Sequence, residues 1–332
     1  TKPALGFMKS KGLKEEDVVF KTLGKDEYIF GTIRQEGKET SEVLKTILPE
    51  AVKNVTFPKA MRWGGRNMRF ARPIRKQCIE VAKSLGGEVE FDEDLLEEVT
   101  YLVEYPTAFY GEFNEDYVKL PKEVVTTPMQ QHQRYFPVVK DGKLLPNFIA
   151  VRNGNDYRID KVKAGNEKVL VARLEDALFF YKEDTKKSLE SYIEKLKSVV
   201  FQAKLGTVYD KTLRIENLSS NIIDLLNLQQ DKEDAKRAAK LCKADLVTGM
   251  VFEFTELQGI MGREYARVSG ENEAVCEAIF EHYLPRFAGD ILPKTNAGIA
   301  LSIADKLDSI AGFFAIGIQP TGSQDPYALR RQ

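Results

Sequence analysis

Beyond Gly165 the chain is an almost unbroken succession of helical periodicities, and that pattern restricts the fold more than any other feature. Leu170, Leu174, Ala177 and Tyr181 recur three or four residues apart, as do Leu189, Ile193, Leu196 and Val200. Leu218, Ile222 and Leu225 mark a third helix. A fourth stripe runs through Ala235, Ala239, Cys242, Leu246, Met250 and Phe254 and stops at Gly259, a residue suited to the end of a helix. Two more helices are expected from Asn272 to about His282 and from Asn296 to about Ala315. Between Ala297 and Ile318 the sequence is apolar nearly all round, the mark of a buried helix. Amphipathic helices in series must bury their stripes against one another, so residues 161–332 are expected to form an all-α domain.

The first 160 residues read differently. Within 1–75 the pattern is mixed α/β: Lys14 to Val18 reads as a helix start, Tyr28 to Ile33 as a strand, and Ser41 to Ile47 as a helix capped by Ser41. Residues 76–160 form an α+β part. There Glu80 to Leu85 is helical and closed by Gly86-Gly87, and Asp94 to Val103 places Leu95, Val99 and Leu102 on one face. From Phe109 to Val151 strands and loops alternate, broken by Pro121, Pro128, Pro137 and Pro146. The expected class is therefore α+β, a mixed N-terminal part followed by the all-α one.

Composition narrows the function. The 332 residues are 43% hydrophobic and 30% charged, with a formal net charge of −1. Nucleic-acid contact would then need a local basic patch. The longest apolar run, Ile310 to Ile318, is far below the roughly 20 residues that span a bilayer. No membrane segment is implied, and no secretory signal is recognised at the start. Cys78, Cys242 and Cys276 form no CxxC pair and read as buried free thiols of a reducing cytosol.

A basic patch does exist. Between Lys59 and Ile79 stand Arg62, Arg66, Arg69, Arg72 and Arg75 with Lys59 and Lys76, with Trp63 and Phe70 interleaved and no acidic residue. Guanidinium groups suit phosphate oxygens and aromatic faces stack on bases. On the residues alone, a turn-rich segment whose arginines pair with acids elsewhere is the plainer reading of the same run. A second polar cluster is Gln130 to Tyr135. Its His132 is of the residue type that serves as acid or base in catalysis, but no Ser or Cys nucleophile motif accompanies it, so a hydrogen-bonded structural histidine is the plainer reading.

The most telling constellation lies in the helical part. Ala304-Asp305-Lys306-Leu307-Asp308 puts carboxylates on a helix read as buried, which is costly unless they are paired or metal-bound. Offsets of eight and eleven residues place Glu253 and Glu256 near the helical angle of Asp245. A helical domain with a late Ala-Asp-Lys-Leu helix resembles the HD superfamily of metal phosphohydrolases, whose ligands are a His, a His-Asp doublet and the late Asp. Here the doublet is missing, and His132 and His282 are the chain's two histidines. The resemblance implies an HD-like scaffold with a degenerate site at Asp245, Glu253, Glu256, His282 and Asp305, no metal, and Asp305 as a paired structural carboxylate. A working metal-dependent phosphohydrolase is the alternative.

Several long segments together carry a more specific likeness. They are Met61-Arg62-Trp63-Gly64, Arg69-Phe70-Ala71-Arg72-Pro73-Ile74-Arg75, Leu102 to Pro106, Gln131 to Pro137, and Gly165 to Ala177. Farther on come Lys243 to Thr248, Glu256 to Gly259 with Met261-Gly262, Glu281 to Arg286, Ala304 to Asp308, and Pro320 to Pro326. In collinear order they resemble the beta subunit of bacterial heterotetrameric glycyl-tRNA synthetase.

That resemblance implies a cytoplasmic ligase of two alpha and two beta chains. The alpha subunit binds ATP, with Mg, and glycine, and makes the adenylate; the beta subunit binds tRNA(Gly). It fits the absence of a GxxxxGK[ST] loop, a GxGxxG turn, the HIGH and KMSKS signatures and the arginine motif of the other synthetase class. No catalytic residue is therefore expected here. Arg62, Trp63, Arg66, Arg69, Arg72, Arg75, His132, Arg134, Arg330 and Arg331 are the tRNA-binding candidates. Against the family pattern, an N-terminal segment, a domain-sized segment after Arg75 and the C-terminal anticodon-binding region are expected to be missing.

Overall fold

A computed structural model describes residues 2–24, 26–33, 39–54, 74–321 and 324–332. Contacts divide the chain into two units, 1–69 and 70–332. The architecture is α+β, as expected.

In the first unit, α1 (Lys2–Lys11) precedes an antiparallel hairpin of β1 (Val18–Leu23) and β2 (Asp26–Gly31), and α2 (Thr40–Asn54) follows. The helix read at Lys14–Val18 is a single 3₁₀ turn, Glu15–Asp17, in which Asp17 Oδ2 accepts the Lys14 N–H at 3.1 Å; its β-branched successors Val18 and Val19 then extend into β1. Ser41 lies inside α2 rather than at its cap, its hydroxyl donating to the Glu39 carboxylate.

The second unit begins with α3 (Ile74–Ser84), β3 (Glu88–Val89), α4 (Glu93–Leu102) and β4 (Pro106–Glu112). The Gly86-Gly87 stop holds: Gly86 has φ +70°, and Gly87 N donates back to Ala82 O at 3.1 Å. Asp92 caps α4 through Asp94 N and Leu95 N. Leu102 departs from the expected stripe; it is 58% exposed, and Leu96 is buried with Leu95 and Val99 instead.

After α5 (Lys122–Thr127) a π-turn, Pro128–His132, leads into β5 (Phe136–Lys140) and β6 (Lys143–Asn153). The antiparallel order is β3-β5-β6-β4. Pro137 and Pro146 do not break this region; both lie in inner strands. The β5–β6 register shifts between the Pro137–Phe148 and Val139–Leu144 pairs, so Pro146 falls in a bulge that asks for no ladder donor. Successive residues of β6 point to opposite faces: Ile149 packs with Cys78, Leu95 and Phe136 under α3 and α4, while Phe148 joins the helical core. Gly111, opposite Phe148 on β4, is the residue that leaves room for that ring.

The helical part starts with α6 (Ile159–Asp184), which buries Leu170, Leu174 and Ala177 as its period requires. Leu189 to Ser198 is 3₁₀ rather than α, and Val200 belongs to β7 (Val200–Gln202), which pairs with β8 (Gly206–Thr207) and leaves Val200 67% exposed. On α7 (Val208–Leu225) the buried line is Val208, Thr212, Ile215, Ser219 and Ile223, and Leu225 is 80% exposed.

The single fourth helix of the sequence reading is four pieces: α8 (Lys232–Leu241), a 3₁₀ turn over Ala244–Val247, α9 (Gly249–Glu253) and a turn over Thr255–Leu257. One carboxylate from outside the stripe and one within it accompany the breaks. The buried Asp184 carboxylate takes the Gly249 and Met250 N–H groups at 2.9 and 2.8 Å, and Asp245 turns inward to take Gly259 N and Gly262 N. Gly259, with φ +78°, opens α10 (Ile260–Val268). The last helices, α11 (Glu273–Glu281) and α12 (Asn296–Ala315), lie where the periodicity put them. α12 is not buried all round, because Ile303, Leu307 and Phe314 face solvent. Cys78, Cys242 and Cys276 are free and buried. Among the described residues no helix is long and apolar enough to cross a membrane.

Candidate functional site

The helical core gathers several charged side chains where α7, the end of α8, the end of α11 and α12 meet. Lys211, on the buried line of α7, places Nζ 2.7 Å from Asp305 Oδ1, 3.1 Å from Asp308 Oδ2 and 2.8 Å from Ser309 Oγ. Arg214, one turn on, grips the Asp308 carboxylate with two nitrogens and donates a third bond to Leu205 O at 3.0 Å. Lys243 leaves the end of α8 with Nζ 2.8 Å from Asp305 Oδ2 and 4.1 Å from the centre of the Tyr283 ring. Lys306 donates to Leu284 O at 2.9 Å and Ser302 Oγ at 3.0 Å and forms no ion pair among the described residues.

Burial makes these interactions strong. Lys211 and Lys243 are 4% and 5% exposed, and His282 is wholly buried. Burial alone would raise the Asp305 carboxyl and lower the Lys243 ammonium; their mutual attraction, with Lys211, reverses both, holding Asp305 far below the usual carboxylate range and Lys243 above the usual amine value. His282 is pushed well below 6.5 by burial and by Lys243, so it is neutral. Its Nδ1 faces Ile279 O and must carry the proton, which leaves Nε2 an acceptor, and that atom has no partner among the described residues. Asp305 Oδ1, by contrast, is held by the Lys211 ammonium at 2.7 Å.

A cleft of about 370 Å³ opens over this cluster, lined by Lys211, Lys243, His282, Arg286, Asp305 and Lys306 among others. Glu281, at the end of α11, accepts from Lys294 N, Thr295 N and Thr295 Oγ1 at 2.8, 3.0 and 2.6 Å. That clamp ties the last turn of α11 to the first turn of α12 and fixes His282 relative to Asp305.

Of the five degenerate-site candidates, the structure brings His282 and Asp305 into the cleft. Asp245 lies outside its lining, buried in a turn with Oδ2 engaged by Gly259 N at 2.6 Å and Gly262 N at 3.2 Å. Glu253 and Glu256 are not on one face with Asp245, because the helix that would align them is interrupted. Glu253 pairs instead with Arg173 at 3.0 Å, and Glu256 is exposed. These residues do not fit a divalent cation: two ammonium groups already occupy the Asp305 carboxylate, and a metal there would meet their repulsion.

Of the tRNA-binding candidates, Arg62, Trp63, Arg66, Arg69 and Arg72 lie outside the described residues. Arg75 pairs with Glu93 and stacks 4.7 Å from the Phe91 ring centre. His132 meets Phe254 edge to face, and Arg134 pairs with Glu98 at 2.6 Å. Arg330 bonds Thr321 O and the Asp325 carboxylate, and Arg331 reaches the cleft. Lys211, Lys243 and Lys306 escaped the sequence reading as site residues. The signal for them was the requirement that a buried Asp305 have partners.

The comparisons give the lineage. The family profile described as "Glycyl-tRNA synthetase beta subunit" matches residues 1–80 and 74–332. The glycine–tRNA ligase beta subunit of Clostridioides difficile is 68% identical over 396 positions, covering all of this chain and 58% of that protein. Those of Desulforamulus reducens and Bacillus subtilis are 48% and 42% identical, again over all of the chain and 57% and 58% of their own lengths. The chain thus spans less than three fifths of the relatives it matches. The alignments also run well beyond its 332 residues, so the relatives hold positions with no counterpart here, and the two family matches meet between Ile74 and Glu80. With every residue matched by such relatives, the chain belongs to the glycyl-tRNA synthetase beta subunit family.

Proposed function

We propose that this chain is the tRNA-positioning and alpha-binding piece of a cytoplasmic glycine–tRNA ligase of two alpha and two beta subunits. The alpha subunit binds ATP with Mg and makes glycyl-adenylate. The beta chain engages tRNA(Gly) and brings its acceptor end to that adenylate. The end-to-end match to beta subunits carries this reading. The lack of nucleotide-binding motifs and the filling of the HD-like centre by lysines agree with a chain that supports chemistry done elsewhere.

The test is reconstitution. Mixed with the alpha subunit and joined to the remainder found in the relatives, the chain should form a stable assembly and support charging of tRNA(Gly). Alone with ATP and glycine it should make no adenylate; adenylate from the purified chain without alpha would sink the proposal.

A further inference from the structure

The cleft over Asp305 has a charge imbalance that its own residues do not resolve. Three ammonium groups, Lys211, Lys243 and Lys306, line it with one carboxylate, Asp305, while Asp308 outside the lining is matched by the partly exposed Arg214. Buried positive charge without a counter-charge is costly, so the arrangement is complementary to an anion carrying about two charges. Lys211 is saturated by Asp305, Asp308 and Ser309. Lys243 has one hydrogen-bonded partner, Lys306 has two, and Arg286 spends Nε and one terminal nitrogen on Asp290, so each keeps an N–H for a ligand. Set among these donors is one acceptor without a partner among the described residues, His282 Nε2. An anion alone would leave it unpaired. A ligand with a hydroxyl beside its anionic group satisfies both halves, and about 370 Å³ lies at the small end of ligand pockets, of order 300–1,000 Å³.

We propose that this cleft binds a ribose–phosphate unit, the phosphate on Lys243, Lys306 and Arg286 and a ribose hydroxyl donating to His282 Nε2. Two sources carry that chemistry, a free mononucleotide and a nucleotide of a bound RNA. The proposal is one of binding alone, in which no bond is made or broken. The inference stands apart from the reading of the chain as an alpha-binding subunit.

The experiment titrates the chain, without alpha, with inorganic phosphate, AMP and 2′,3′-dideoxyadenosine monophosphate by calorimetry. Phosphate and AMP should bind saturably at one site, with AMP tighter than its dideoxy analogue. Lys306→Gln should weaken AMP about tenfold or more, the loss expected for a hydrogen bond to a charged group, and Lys306→Arg should restore most of it. If tRNA displaces AMP competitively, the natural source is an RNA nucleotide; if tRNA leaves AMP in place, it is a free nucleotide. Absence of saturable binding of both phosphate and AMP to the wild-type chain would overturn the proposal without any variant. Equal binding of AMP and the dideoxy analogue would overturn the ribose assignment. Failure to assemble with alpha would bear on the proposed function and leave this result untouched.

Discussion

Lys243 Nζ lies 2.8 Å from Asp305 Oδ2, a residue 62 positions later, and so joins the end of α8 to the middle of α12. The pair is nearly dry, with side chains 6% and 13% exposed, and Lys211 completes it from a third helix. Removing one partner of such a pair leaves an uncompensated buried charge, which costs about 3–5 kcal/mol. Asp305→Ala, which leaves Lys211 and Lys243 facing each other, should lose that much in urea unfolding. The double variant Lys243→Met/Asp305→Asn should lose distinctly less, because neither charge remains to be stranded. Equal losses in the two would mean that packing rather than charge sets the cost.

Asp245 gives the fold a pH signature. It is wholly buried, and burial pushes its carboxyl up to about 6 despite the Gly259 and Gly262 N–H groups. A carboxyl raised above its ordinary 3.8 favours the fold when protonated. Its contribution is complete below about pH 4 and is lost as pH rises through about 6. Asn at this position cannot ionise. Between pH 4 and 7 the stability of Asp245→Asn relative to wild type should therefore shift in the variant's favour by roughly 3 kcal/mol at most. Parallel stability curves over that range, measured by urea unfolding at each pH, would remove Asp245 as the cause.

What could be read beforehand followed from how local each signal is. The lines Leu170–Leu174–Ala177 and the bounds of α12 depend on period alone, and they hold. The interruption of the stripe from Ala235 to Phe254 does not depend on local sequence. It accompanies the contacts of Asp184, some 65 residues upstream, and the inward turn of Asp245, and helical spacing says nothing about either. The charged cleft was hidden for the same reason: its lysines come from positions 211, 243 and 306 and meet only after the helices pack. The shortage of histidines, by contrast, was visible at once.

Gly111 offers a test of the sheet. A Cβ there would fall on the ring of Phe148, its cross-strand partner, which is fully buried and stacks 4.5 Å from Tyr135. The ring has no room to retreat, so Gly111→Ala should destabilise by about 1–3 kcal/mol, the usual cost of overpacking. Phe148→Leu in the same chain should recover part of that loss, measured against Phe148→Leu alone. Simple additivity of the two changes would mean that the ring is not what Gly111 accommodates.

The basic run from Arg62 to Arg75 remains the strongest sequence-borne candidate for RNA binding, since it holds five arginines and no acid. If those guanidinium groups sit on phosphates, each neutralised phosphate releases counterions, and the slope of log affinity against log salt measures how many there are. Charge reversal of Arg62, Arg66 and Arg69 together should weaken tRNA(Gly) binding and flatten that slope by roughly 0.7–0.9 for every phosphate left without its guanidinium. Arg75→Gln should change it less, because Glu93 and the Phe91 face already engage that guanidinium. The slope separates a true interface from a general loss of folding, since a partly unfolded sample binds less tRNA at every salt concentration with an unchanged slope. An unaltered affinity and slope in the triple variant would instead make the run structural and remove it from the RNA-binding candidates.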